Sequence, residues 1–184
     1  GQNNMNYKET LEYIHSIPKF NRILGNALLE KLLNKMGNPQ DNLKFIHIGG
    51  TNGKGSTCTM VSQILTEAGY KTGLFTSPFL KFFNERIKIN GVPISNSDLA
   101  DIASYVKKIT EKYDAFVSEF AFDTAVAFEY FNRQNCDFVI LEVGLGGKLD
   151  ATNIIKNPLV VGFTAIGLDH CQYLGLSLIH ISEP

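Results

Sequence analysis

The chain has 184 residues, of which 44% are hydrophobic and 19% charged, and its formal net charge is -1. That is enough for one domain with a packed core, and the balance excludes a disordered chain and a broad nucleic-acid footprint. Three cysteines, Cys58, Cys136 and Cys171, lack metal-ligand spacing and read as free thiols; with no signal peptide or unbroken apolar span, the cytoplasm is expected, with no membrane partner.

The residues ahead of Met5 read as a disordered lead-in. A short helix is expected over Tyr7 to Ile17, with Leu11 and Ile14 on one side and Pro18 as its stop. A loop runs from Pro18 to Asn26. Leu28, Leu29, Leu32, Leu33 and Met36 mark a second helix, closed by Gly37. A turn at residues 38–42 leads into the first strand, Phe45-Ile46-His47-Ile48.

Gly49-Gly50-Thr51-Asn52-Gly53-Lys54-Gly55-Ser56-Thr57 follows that strand. Met60, Val61, Ile64, Leu65 and Ala68 then repeat at helical spacing. Strand, glycine loop, helix is the order a phosphate-binding loop needs. The glycines let backbone N–H groups turn inward, and the helix N-terminus adds partial positive charge. Lys54 brings a full charge to the outer phosphates, and Ser56 or Thr57 can face a magnesium ion. The plain alternative is a glycine turn. Gly55 departs from the usual Ser or Thr after the lysine, and the first glycine is closer than usual, so this is a variant loop.

Gly69 stops that helix, and Lys71 to Phe75 reads as the second strand. Thr76-Ser77-Pro78 ends it, and a loop runs from Phe79 to Arg86. A hairpin over Arg86 to Ser95 folds on Asn90-Gly91. Ser97 is expected to cap a helix with Leu99, Ile102, Ala103, Val106 and Ile109 inward. Phe120, Thr124, Ala127, Phe128 and Phe131 give a further helical face. Phe138 to Leu141 is a buried strand ending in Glu142, and Leu159 to Thr164 is the next, ending near Asp169-His170.

This alternation predicts an α/β domain with a mainly parallel sheet flanked by helices. Ligands bind beyond the carboxyl ends of such strands. Lys54, Ser77, Glu142 and Asp169-His170 fall at four of those ends. Glu142 can hold magnesium directly or through water, or be a surface residue at a strand end. The glycines of Gly144 to Asn153 allow close approach to a ligand. Ser77 alone reads as a turn residue before Pro78. His170 alone reads as a hydrogen-bonded loop residue, since magnesium prefers oxygen. Asp169 either orients His170 or is a loop carboxylate. His15, His47 and His180 read as structural or surface residues.

Four stretches together resemble folylpolyglutamate synthase, often also dihydrofolate synthase, of the ATP-dependent Mur ligase group. They are Gly50 to Thr57; Thr76-Ser77-Pro78 with Phe83-Asn84-Glu85-Arg86-Ile87; Leu141 to Asn153; and Leu168-Asp169-His170. The resemblance runs from about Tyr7 to Gly175. It implies a phosphate-loop Mur ligase central domain over 1–175, here incomplete, and a ligase that joins L-glutamate to a folate or dihydropteroate through an acyl phosphate. ATP and magnesium are implied, and a monomer is expected. Lys54, Glu142 and His170 would carry catalysis. The loop Asn52, Gly53, Lys54, Gly55, Ser56 and Thr57 resembles the ATP contacts, and Ser77, Glu142 and His170 the magnesium ligands. Leu24-Gly25 and Ser118-Glu119-Phe120-Ala121 match pterin-contacting segments. Ala121 stands where the family has Glu, and Lys148 where it has Arg, which keeps the charge but not the forked donor.

Residues 176–184 do not resemble the family, whose carboxylated lysine and glutamate-binding domain are missing from this sequence. The expectation for the chain as it stands is weak nucleotide binding without ligation. Two other readings stay open. One is a cell-wall precursor ligase, against which Gly55 argues. The other is a nucleotide-binding module.

Overall fold

A computed structural model describes residues 4–20, 26–144 and 150–166. The expectations for Leu24, Gly25, Lys148, Asp169, His170 and residues 176–184 lie outside the described residues. Helix α1 (Tyr7–Ser16) opens on a capping box, in which Asn6 and Glu9 each accept the other's backbone N–H. Helix α2 (Ala27–Lys35) buries Leu29, Leu32 and Leu33. Strand β1 (Phe45–Gly49) leads into α3 (Lys54–Glu67), and β2 (Thr72–Phe75) follows. A short hairpin, β3 (Ile87–Ile89) and β4 (Val92–Pro93), turns on Asn90 and Gly91, both at positive φ. Then come α4 (Asn96–Tyr113), α5 (Glu119–Arg133), β5 (Phe138–Glu142) and β6 (Val160–Phe163).

The sheet has six strands in the order β4-β3-β2-β5-β1-β6. Strands β2, β5, β1 and β6 run parallel, and the hairpin adds two antiparallel strands at one edge. The mainly parallel α/β architecture is therefore present. Successive strand residues point to opposite faces, and the two faces are unequal. Phe45, Phe75, Val139 and Leu141 face the large core built with α1, α2, α4 and α5. Ile48, Leu74 and Ile140 face a small one under α3, with Cys58, Val61 and Leu65.

Helix α5 is buried from Ala121 through Phe131, because the sheet lies on one side of it and other helices on the rest. Its Phe122, Phe128 and Phe131 are fully covered, each contributing about 1.5–3 kcal/mol of burial. Two local readings are corrected. The cap of α4 is Ser95, whose hydroxyl accepts the Asp98 N–H at 3.0 Å, and not Ser97. On α3, Met60 and Ile64 are 58% and 66% exposed, and Ala68 is also outside. The inward face is Cys58, Val61, Ser62 and Leu65, whose small members let the helix lie close to the sheet. Among the described residues no helix is long and apolar enough to cross a membrane.

Candidate active site

Strand β1 delivers the glycine loop at its carboxyl end. Gly50 has φ 128°, and a Cβ there would stand 2.1 Å from Thr164 Oγ1. Only glycine allows that approach. The residues beyond β6 clamp the loop: Ala165 O accepts the N–H of Thr51 at 2.8 Å and of Asn52 at 3.4 Å. Thr57 N–H is committed to Gly53 O at 3.0 Å. Helix α3 starts at Lys54 with no side-chain cap, so its first amides, at Lys54, Gly55 and Ser56, are the ones presented to an anion. Lys54 Nζ folds back onto Gly50 O at 2.7 Å and Thr51 O at 3.4 Å. The ammonium is thereby held at the mouth of the loop.

Glu142 ends β5 on the same face as Ile140, which is the α3 face. The residue is 5% exposed, and its carboxylate accepts the Ser77 N–H at 2.9 Å through Oε2. A Cβ on Gly55 would lie 3.7 Å from Oε1, so Gly55 leaves room beside the acid. Burial raises the Glu142 pKa, while the Ser77 amide and the charges of Lys54 and Arg86 pull it down. Carboxylate, serine and lysine expected from separate motifs are thus brought together, at the ends of three neighbouring strands.

Arg86 and Asp123 were not singled out from the sequence as functional. The Arg86 guanidinium lies 5.2 Å and 5.7 Å from the Phe79 and Phe83 ring centres. Among the described residues, its buried Nε has no hydrogen-bond partner, and neither does Asp123 Oδ1. Burial pushes the Asp123 carboxyl up to about 8, opposed by Arg86 and assisted by Glu119. Burial thus favours its neutral form. The available signals were Arg86 inside the Asn-Glu-Arg stretch and Asp123 one helical turn after Phe120.

On the other face of the sheet, Phe120 stacks on Phe75 with ring centres 5.6 Å apart. Gly144 fits beneath it, since a Cβ there would come within 2.7 Å of the Phe120 ring. Asp150 Oδ2 accepts the Gly144 N–H at 2.9 Å. Of the other residues matched to a pterin-contacting segment, Ser118 caps α5 by accepting the Ala121 N–H at 3.4 Å. Glu119 meets His15 at 3.4 Å, and Ala121 is 7% exposed within the core.

His47, on the large-core face of β1, is 7% exposed and bonds Thr152 Oγ1 at 2.7 Å through Nε2. Burial lowers its pKa to about 4. Between pH 6.5 and pH 4 the unfolded chain takes up a proton that native His47 refuses. Stability from this group is therefore present above pH 6.5 and lost on acidification, by about 3 kcal/mol at most. Asp123 acts in the opposite sense over that window, because only its native form stays protonated. Comparing the parent with a His47 variant in urea titrations at pH 7 and 4.5 isolates the histidine, since the Asp123 contribution is common to both. A His47→Gln variant should lose about 2–3 kcal/mol less than the parent on acidification.

Ser77 and Glu142 supply oxygen donors of the kind a hard divalent cation selects, and the acid is ionisable, shielded and beside a lysine. The donor chemistry fits magnesium. Among the described residues no group of three or more His, Cys, Asp or Glu side chains forms a complete metal cluster.

Comparison with known proteins follows the same lines. The Mur ligase middle domain model matches residues 48–177. A folylpolyglutamate synthase of Lacticaseibacillus casei is 39% identical, aligned over 97% of this chain and 43% of its own length. A dihydrofolate synthase/folylpolyglutamate synthase of Bacillus subtilis is 39% identical over 96% and 42%. The chain thus spans less than half the length of these relatives. A solved FPGS-AMPPCP-folate complex superposes with a TM-score of 0.90 at 40% identity, covering 96% of this chain and 44% of that one. E. coli FolC in complex with DHPP and ADP gives 0.86 at 32%, covering 96% and 42%. By the matched residues 48–177, and by the strand, loop and helix that they build, this chain belongs to the Mur ligase middle-domain family.

Proposed function

We propose that the full-length protein is an ATP-dependent ligase that joins L-glutamate to folates, with dihydropteroate as a second acid substrate. Residues 1–175 form part of its nucleotide-binding domain, and the protein works as a monomer in the cytoplasm. The observation that carries this reading is the convergence of Lys54, the open N-terminus of α3, Ser77 and Glu142 at adjacent strand ends. The relatives crystallised with AMPPCP and folate, or with DHPP and ADP, support it.

The chemistry explains why these groups are needed. A carboxylate is a poor acyl donor, because its leaving group would be oxide. Phosphorylation supplies a good one, and the glutamate amine then attacks the acyl phosphate to give amide and phosphate. Bringing the substrate's carboxylate against a triphosphate requires cations. Lys54 Nζ leaves its two loop carbonyls and turns to the outer phosphates. The amides of Gly53 to Ser56 orient the phosphate chain. Ser77 and Glu142, with His170 as the resemblance implies, would hold magnesium, which would supply positive charge against the phosphates. Phe120 offers a ring face to the flat pterin, beside the Gly144 turn.

Glutamate incorporation by the full-length protein tests the reading. Product should form only with ATP, magnesium and a folate or dihydropteroate together. Turnover that ignores the folate would overturn it in favour of another acid substrate.

A further inference from the structure

His47, Thr152 and Asp150 form a buried chain of hydrogen bonds that the nucleotide site does not use. They are 7%, 0% and 3% exposed. The direction of the chain follows from proton counting. The Thr152 hydroxyl has one proton, and Asp150 Oδ1 accepts it. His47 Nε2, 2.7 Å from the same hydroxyl oxygen, must then donate, which fixes the proton on Nε2. Asp150 Oδ1 also takes the Thr152 N–H at 2.9 Å, and Oδ2 takes the Gly144 N–H at 2.9 Å. Asn26 Nδ2 holds the Asp150 carbonyl at 3.1 Å. The carboxylate is thus oriented by donors on both oxygens, in an interior where an unmatched donor or acceptor is expensive.

The two ends of the chain lie on the elements that build the site. His47 is on β1, whose end Gly49 opens the phosphate loop. Gly144 follows Glu142 closely in the chain, is bonded to Asp150, and sits against Phe120. We propose that His47 is a positioning residue for the acid substrate: acting through Thr152, it orients Asp150 and so fixes the Gly144 turn beneath Phe120. Which kinetic constant responds rests on the ligase reading above; the link from His47 to Gly144 does not.

The test uses the full-length protein with His47→Leu, His47→Gln, Thr152→Val and Thr152→Ser. His47→Leu and Thr152→Val each remove one link, and the double variant should be no worse than either single. Each should raise KM for the folate or dihydropteroate substrate about tenfold, with KM for ATP within about twofold of the parent. Glutamine carries an N–H near the Nε2 position, and serine keeps the hydroxyl, so both should restore most of the affinity. Backbone hydrogen exchange at Gly144 should quicken in His47→Leu and Thr152→Val and return with Gln and Ser. An unchanged KM for the acid substrate, with all four variants merely less stable, would overturn the proposal. If the parent makes no glutamyl product the ligase reading fails; Gly144 exchange then decides alone, quickened exchange supporting the link and unchanged exchange overturning it.

Discussion

Replacing Lys54 by alanine is expected to lower glutamate ligation by the full-length protein about 100-fold or more, while leaving the fold intact. The ammonium is preorganised: it rests on Gly50 O and Thr51 O, at the start of a helix whose first amides have no side-chain cap. Its hydrogen bonds to phosphate would be charge-assisted, worth about 1.5–3 kcal/mol in nucleotide binding, or roughly 10- to 150-fold in Kd. The larger loss falls on turnover, because charge on the transferring phosphoryl group is met only as the reaction proceeds. Losing contacts to two loop carbonyls that water can reach should cost the unliganded fold no more than about 1 kcal/mol. Calorimetry with a nonhydrolysable nucleotide, beside thermal unfolding, separates the two effects. A variant that lost stability but bound nucleotide normally would make Lys54 a structural staple of its own loop.

Glu142→Gln should be nearly as damaging to activity and opposite in its effect on stability. Burial raises the Glu142 pKa, so the native state disfavours the ionised form that the unfolded chain carries at neutral pH. Stability from this group is therefore greatest below the ordinary carboxylate range and declines as pH rises through the raised native value. An amide in its place keeps an oxygen for the Ser77 N–H and removes the buried charge. The variant should unfold at the same temperature as the parent or higher at pH 7. Its ligation should drop about 10²- to 10³-fold, because a neutral oxygen holds a divalent cation poorly. Activity across a magnesium titration, with calorimetric unfolding at pH 7, checks both. Full activity with raised stability would remove Glu142 from the metal site. Such opposition between stability and activity is common for groups kept for chemistry.

The glycine loop, Lys54 and the strand-end placement of Ser77 and Glu142 were legible because each is a local pattern. A strand fixes where its last residue points, and a helix that follows at once fixes where its first amides point. The hairpin was legible for the same reason, since Asn90 and Gly91 accept the positive φ that the turn demands. Local pattern was not sufficient on α3. Met60 and Ile64 share a helical spacing with Val61 and Leu65, and nothing in that spacing says which flank meets the sheet. The small side chains of Cys58 and Ser62 decided it, by letting the helix approach. The α4 cap was missed by a similar margin: Ser95 and Ser97 are both good caps, and the end of β4 settled between them.

By itself, then, the sequence determined the α/β order of elements and the glycine loop between β1 and α3, because those depend on residues within a few positions of one another. Tertiary structure decided the pairings that span the chain. His47 and Thr152 are 105 positions apart, and the charge of Arg86, just before β3, acts on Asp123 of α5 only because the fold brings them near. Whether a histidine, an aspartate or an arginine is buried, and beside what, is fixed by which elements the sheet order makes neighbours. That same placement sets the protonation of His47 and Asp123, since burial and neighbouring charge are properties of the packed molecule and not of the residue type.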